Sequence, residues 1–299
     1  MALKELTRYI PIIREAHLLA RIGNRINLGE LFLFVLSPYI FISFPKSGRT
    51  WVRFFIDAYY TEKYKHRGKT IKDMFSLRID RRGRPRIISK HFTNGMATTD
   101  ELHAWFTDIF RTLRHKKALF LFRDPRDVLV SFYFQLRKRD GVIGADTTAN
   151  AFVYNEQYGI RSIVRYMNAC LAHKDQFRST KTLLYRDLKS DPSKCFREVL
   201  NFFGEEEIDE KAFAHALAES DFSSMQKVET AQKTGGDLPS SSPKIRAGDK
   251  GNADDPESYK VRRGKVGGYT DYLTGSARLF VDRVVAKELD PHFGFISEN

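Results

Sequence analysis

The feature that most constrains this chain is a unit that occurs twice: a short, continuously apolar run, a basic turn, and then apolar residues at helical spacing. The first copy is Tyr39–Phe44, the turn Pro45-Lys46-Ser47-Gly48, and the stretch Thr50–Tyr60. The second is Ala118–Phe122, the turn Arg123-Asp124, and a helix that starts at Pro125 and runs toward Arg137. A run with no polar alternation must be covered on both faces, which is the situation of a strand in a parallel sheet. Proline suits the first helical turn, where its missing N–H is not needed. Ile87–Lys90 and Thr182–Tyr185 read as further strands. Thr98–Leu113, closed by the basic stretch Arg111 to Lys117, reads as a helix, as do Thr147–Tyr158, Ile160–Phe177 and the segment from Asp191-Pro192 to Gly204. The expected fold is α/β, three-layered, with a mostly parallel central sheet flanked by helices. No internal repeat divides it, so one domain spans residues 1–299, with 1–37 as a helical and apolar lead-in.

Composition excludes several classes. Hydrophobic residues make up 42% and charged residues 29%, which rules out wholesale disorder. The longest apolar stretch, Leu31–Phe44, is about 14 residues and is interrupted by Pro38. A spanning helix needs roughly 20. The N-terminus lacks an apolar core followed by a small-residue cleavage site. A cytoplasmic protein is expected, with at most a peripheral membrane contact through Leu31–Leu36. The two cysteines, Cys170 and Cys195, exclude a disulfide scaffold and a zinc ribbon. The net charge of +13 fits a nucleic-acid binder, a membrane-surface protein or an enzyme with polyanionic substrates. The polar segment Thr230–Tyr259, rich in Gly, Ser and Pro, is too long for an ordinary connection and is expected to be a mobile lid over residues 230–260.

Two stretches carry chemistry. Phe44-Pro45-Lys46-Ser47-Gly48-Arg49-Thr50-Trp51 joins a strand to a helix, where free backbone N–H groups and the helix dipole suit an anion. Lys46 adds a point charge, and Ser47 and Thr50 add hydroxyl donors. The spacing is not Gly-x4-Gly-Lys, so a Walker-type triphosphatase is not indicated. In Leu121–Ser131, Arg123 leaves the C-terminal end of a strand, where open α/β sheets bind ligands, and Ser131 follows about two turns into the helix. An Asp cap with surface Asp/Arg pairs accounts for Asp124, Arg126 and Asp127.

Together these stretches resemble the PAPS-dependent sulfotransferases, the enzymes that use 3′-phosphoadenosine 5′-phosphosulfate. The family's phosphosulfate loop, Pro-Lys-Ser-Gly-Thr-Thr-Trp, is Pro45 to Trp51 here, with Arg49 in place of a threonine. Its 3′-phosphate motif is matched by Arg123 through Ser131. Its late Arg-Lys-Gly-x-x-Gly element is matched by Arg262-Arg263-Gly264-Lys265-Val266-Gly267, with Tyr269 where many members carry Trp. Tyr185-Arg186-Asp187 and Ser220–Met225 match two further elements, in the family's order. The resemblance implies a P-loop-like phosphosulfate-binding loop. It has Lys46, Ser47, Gly48, Arg49, Thr50 and Trp51 holding the 5′-phosphosulfate, and Arg123, Ser131, Arg262, Arg263 and Gly264 holding the 3′-phosphate. Tyr185 and Phe222 would frame the adenine. PAPS would be the co-substrate and PAP the product, without a metal.

The family's base, a histidine after the strand that follows the loop, falls on His91 in Ile88-Ser89-Lys90-His91. The implied reaction is in-line transfer of a sulfuryl group to a hydroxyl or amine acceptor, with catalytic Lys46, His91 and Ser131, the last restraining Lys46 until acceptor binds. Five arginines between Arg78 and Arg86 favour an anionic acceptor, whether small molecule, glycan or lipid head group. Two other classes compete. A nucleotide-dependent phosphotransferase on the same fold would need the Walker spacing. A non-catalytic nucleic-acid-binding protein would need a continuous basic face, whereas here the key cations cluster at strand ends, so no nucleic-acid partner is expected. The family's C-terminal dimer motif has no clear copy, and the oligomeric state stays open.

Overall fold

The computed structural model describes residues 36–64, 85–91, 99–236 and 254–295. Four parallel strands form one sheet in the order β2-β1-β3-β4: β1 (Tyr39–Ser43), β2 (Ile87–Lys90), β3 (Lys117–Phe122) and β4 (Ser179–Leu184). The two central strands, β1 and β3, are the two continuous apolar runs. Their side chains alternate between two cores. Ile40, Ile42, Phe120 and Phe122 enter one, with α2 (Thr99–Leu113), α3 (Pro125–Lys138), α5 (Ile160–His173) and α10 (Gly275–Glu288). Phe41, Leu119 and Leu121 enter the other, with α1 (Arg49–Lys63), α7 (Pro192–Phe202) and α8 (Glu210–Glu219). The expected three-layer α/β architecture is the observed one. Each large side chain so buried contributes about 1.5–3 kcal/mol. Between these lie α4 (Ala149–Phe152), α6 (Tyr185–Ser190) and α9 (Phe222–Thr234).

Several helices start on a side-chain cap. Asp124 accepts from Arg126 N ahead of Pro125, Asp191 from Lys194 N, Asp209 from Ala212 N and Asp221 from Ser223 N. Helix α1, like α5, α6 and α10, does not: its N-cap is Gly48, with no side-chain cap and no acidic residue in the first turn.

Several boundaries differ from the sequence reading. Thr147–Tyr158 holds only the single turn α4, because Asn155 accepts from Gln157 N and Tyr158 N and turns the chain. Strand β4 starts at Ser179, earlier than expected, since pairing with β3 overrides its polar sequence, and Tyr185 opens a helix instead of ending the strand. Lys116 is not a solvated helix-end cation: it is fully buried, and its Nζ donates to Ser37 O at 2.9 Å. Of the polar segment, α9 extends to Thr234, and Pro256–Ser258 forms a 3-10 turn tied by Lys233 to Ser258 and by Lys138 to Asp255. Residues 237–253, the remainder of the expected lid, lie outside the described residues, as do nearly all of Leu31–Leu36 and Arg78–Arg86. Among the described residues no helix is long and apolar enough to cross a membrane.

Candidate active site

Parallel pairing sets the site. The register Ile42↔Lys90 places His91 beside Ser43, and Phe122↔Leu184 places Arg123 beside Tyr185. The C-terminal tips therefore read, in sheet order, His91, the loop after β1, Arg123 and Tyr185. Neighbouring strands lie about 4.8 Å apart, so this row spans roughly 14 Å.

The loop after β1 is shaped by two residues of left-handed backbone, Lys46 (φ 68°) and Gly48 (φ 106°). Gly48 is required twice over, because a Cβ there would sit 2.6 Å from the Tyr185 ring. Phe44 anchors the loop edge-on between Phe132 and Tyr166, and Ser47 is buried. Thr50 follows Arg49 in the first turn of α1. Burial pushes the Lys46 ammonium down to about 7, helped by the positive charges of Arg139, Arg262 and Lys260 and opposed by Glu229. A lysine so placed regains its ordinary charge when an anion reaches it.

His91 has a defined tautomer. Its Nδ1 lies 2.7 Å from Ser43 O, an atom that only accepts, so Nδ1 carries the hydrogen. Its Nε2 meets Arg49 Nη2, which only donates, so Nε2 is the bare nitrogen. Burial, then Arg49, holds the imidazole well below its ordinary value, with Arg53 and Lys46 adding to this and the Ser43 carbonyl opposing it. His91 is thus neutral, with its lone pair on Nε2. The Tyr166 hydroxyl donates to the backbone oxygen of His91.

Arg123 joins the two motifs. Its Nη1 reaches Lys46 O at 3.5 Å, its Nη2 donates to Lys265 O at 2.8 Å, and its guanidinium lies 4.5 Å from the Tyr185 ring centroid. Arg123 Nε and Trp51 Nε1 are buried with no hydrogen-bond partner among the described residues. Trp51 stands edge-on to Tyr185 at 6.0 Å. A Cβ on Gly264 would meet the Phe222 ring at 2.8 Å, and Tyr185 OH donates to Gly264 O. Trp51, Tyr185, Phe222 and Gly264 therefore lie together beside Arg123.

Two expected ligands are engaged elsewhere. Arg262 donates to Glu257 and Tyr272, and Arg263 pairs with Asp271 and Tyr272. Ser131 is buried on α3, and no hydrogen bond joins it to Lys46. Arg126, expected in a surface pair, is buried and bridges Asp124, Asp282 and Phe295 O.

Two carboxylates were missed. Asp127, buried, accepts from Gly267 N and Tyr269 N at 2.9 and 3.1 Å and pairs with Arg123 at 3.5 Å. Glu229, also buried, accepts from Lys260 N and Val261 N at 2.7 and 2.8 Å. They clamp the two ends of the loop that carries Arg262, Arg263 and Gly264. Asp127 sits four residues after Arg123, the one sign in the sequence that could have marked it.

The fold that carries this candidate site recurs in known proteins. A rabbit (Oryctolagus cuniculus) amine sulfotransferase is 21% identical over 263 residues, covering 83% of this chain and 79% of its own. A mouse sulfotransferase complexed with PAP superposes with a TM-score of 0.57 at 18% identity, over 87% of this chain and 86% of that one. Retinol dehydratase in complex with androsterone and PAP gives 0.56 at 15% identity, over 85% and 82%. The sulfotransferase domain family matches residues 37–292, from just before β1 into the last helical turn, and the chain belongs to that family.

Proposed function

We propose that this protein transfers the sulfuryl group of PAPS to a hydroxyl or amine acceptor, with His91 as the base. The observation that carries the reading is the state of His91, neutral and with its bare Nε2 at a strand tip beside the Lys46 loop. That is the protonation state a general base needs.

The row of tips suits the donor's length. The loop N–H groups, Lys46, Ser47, Gly48 and Thr50 would hold the phosphosulfate beside His91. Arg123 and Ser131 would face the 3′-phosphate, and Trp51, Tyr185 and Phe222 the adenine. The orphaned Arg123 Nε and Trp51 Nε1 fit such a guest. Arg262 and Arg263 would reach the 3′-phosphate by exchanging Glu257 and Asp271 for it.

The donor supplies an activated sulfuryl group on a phosphate leaving group. His91 Nε2 takes the acceptor proton as the new O–S (or N–S) bond forms. Lys46 offsets the negative charge that builds on the phosphate oxygen as its bond to sulfur breaks. A sulfuryl group carries less charge than a phosphoryl group, so positioning and these cations bear most of the work.

PAP is expected to raise the melting temperature and ATP to do so far less, because a ligand of the native state stabilises by mass action. Lys46→Ala should lower kcat by about 10²–10³-fold, as loss of an oxyanion donor does. His91→Ala should keep the PAP shift and lose transfer of label from PAPS. Loss of both together would make His91 structural.

A further inference from the structure

Tyr166 carries a hydroxyl at a position where a phenylalanine would fill the same space. It lies on α5 and is fully buried, with its ring edge-on to Phe44 at 5.1 Å and to Phe106 at 5.3 Å. A hydroxyl inside such an aromatic core costs free energy unless it finds a partner. Its partner is the backbone oxygen of His91. A carbonyl only accepts, so the single hydrogen of the phenol is committed to it. Burial holds the phenol well above its ordinary value, so it stays a donor at any working pH.

His91 needs a support of this kind. The ladder between β1 and β2 ends at Ile42↔Lys90, one residue short of it. Its ring is held by β1, because Nδ1–H donates to Ser43 O at 2.7 Å. Its carbonyl is held by α5, through Tyr166. One hold on the ring and one on the backbone fix the rotation of the residue, and with it the direction of Nε2.

Tyr166 also reaches the donor side. Phe44, against its ring, is the first residue after β1, and its carbonyl accepts from Ser47 N at 3.4 Å across the first turn of the phosphate-type loop. One side chain thus bridges His91 and the loop, with separable parts: the hydroxyl holds His91 and the ring packs on Phe44. Transfer depends on that spacing, since a misplacement of about 1 Å costs on the order of 10²-fold in rate. The groups that support a reacting constellation set its precision.

Resting on the sulfuryl-transfer reading with His91 as base, we infer that Tyr166 is a positioning residue for the transfer: its hydroxyl aims His91 Nε2 at the acceptor while its ring fixes the loop that receives the donor. Being fully buried, it acts through His91 and Phe44.

The test uses the full chain and Tyr166→Phe, which keeps the ring and removes the hydroxyl. NMR of the ring nitrogens of isotope-labelled histidine, with the His91 signals assigned by their loss in His91→Asn, should show the Nδ1–H tautomer in wild type and a mixture of tautomers in Tyr166→Phe. With labelled PAPS and phenol or benzylamine as probe acceptors, Tyr166→Phe should lower kcat by about 10–100-fold and leave the KM for PAPS and the PAP-induced stabilisation unchanged. Tyr166→Leu removes the ring as well and should weaken PAP binding too. An Nε2–H tautomer in wild type overturns the inference without any variant. So does a tautomer unchanged by Tyr166→Phe, an unchanged kcat in Tyr166→Phe, or PAP binding unaffected in Tyr166→Leu. A fall in PAP stabilisation that matches the fall in kcat in Tyr166→Phe also overturns it, by making the hydroxyl a general prop of the core. Absence of PAP stabilisation in wild type overturns the sulfuryl-transfer reading instead, and the tautomer comparison still reports whether Tyr166 orients His91.

Discussion

Lys46 carries two costs at one position. Its left-handed backbone is worth about 1–2 kcal/mol of strain in a residue with a side chain, and its buried ammonium is pushed down to about 7. Both are relieved, or put to use, when an anion fills the loop. At pH 8 the free lysine is largely neutral, and binding of a phosphate or sulfuryl group would restore its charge. PAP binding at pH 8 should therefore take up protons, read by calorimetry in buffers of different ionisation heat. The uptake should vanish in Lys46→Ala, and no uptake in wild type would count against a direct Lys46–anion contact. Gly48 is the other left-handed residue of the loop. Gly48→Ala meets the Tyr185 ring and a forbidden backbone angle at once, so it should destabilise the protein by about 1–3 kcal/mol and weaken PAP binding at least tenfold. The need for Gly48 was legible in the sequence, because a glycine at a strand–turn–helix junction marks a close approach of backbone. That Arg49 meets His91 was not, because the two are 42 residues apart and nothing local marks the contact.

At the scale of elements, the site is a row of four strand tips plus one late loop held from below. The tips are positioned by ladder hydrogen bonds, which fix register wherever both faces are buried. The late loop has no ladder. Asp127 on α3 and Glu229 on α9 do that work through paired backbone N–H bonds at its two ends. Burial raises the Asp127 carboxyl, with the Arg123 charge and the two N–H bonds opposing it, so its anionic form is costly and is held for what it grips. Asp127→Ala should raise the KM for PAPS about tenfold while changing kcat by less than threefold, in steady-state kinetics with varied PAPS. A drop in kcat at unchanged KM would place Asp127 in the chemistry instead. Element positions were well read wherever a cap or an apolar run marked them, as for β1, β2, β3 and α3. They were misread at Thr147–Tyr158, where one Asn side chain outweighs helical spacing.

For the whole molecule, the buried imidazole of His91 sets a limit on acid stability. The unfolded chain binds a proton on His91 near its ordinary value of 6.5, while the folded chain holds the imidazole well below it. Between those values the unfolded state carries the extra proton. The stability that neutral His91 leaves intact above pH 6.5 is thus lost as pH falls, at up to about 1.4 kcal/mol per pH unit. His91→Asn should lose about 1–2 kcal/mol less than wild type between pH 6.5 and pH 5, in denaturant melts at the two values. An identical loss would mean that the folded imidazole protonates as freely as the unfolded one. The amino-acid sequence alone determined the layers, the parallel sheet and the phosphate-type loop, because run length, periodicity and capping act over a few neighbouring residues. Only the tertiary structure decided which charges are buried and what they hold. Asp127 reaches Gly267 across 140 residues, and Lys116 reaches Ser37 across 79. A solvated aspartate and a clamping one are written with the same letter, and the difference lies in the desolvation that packing imposes.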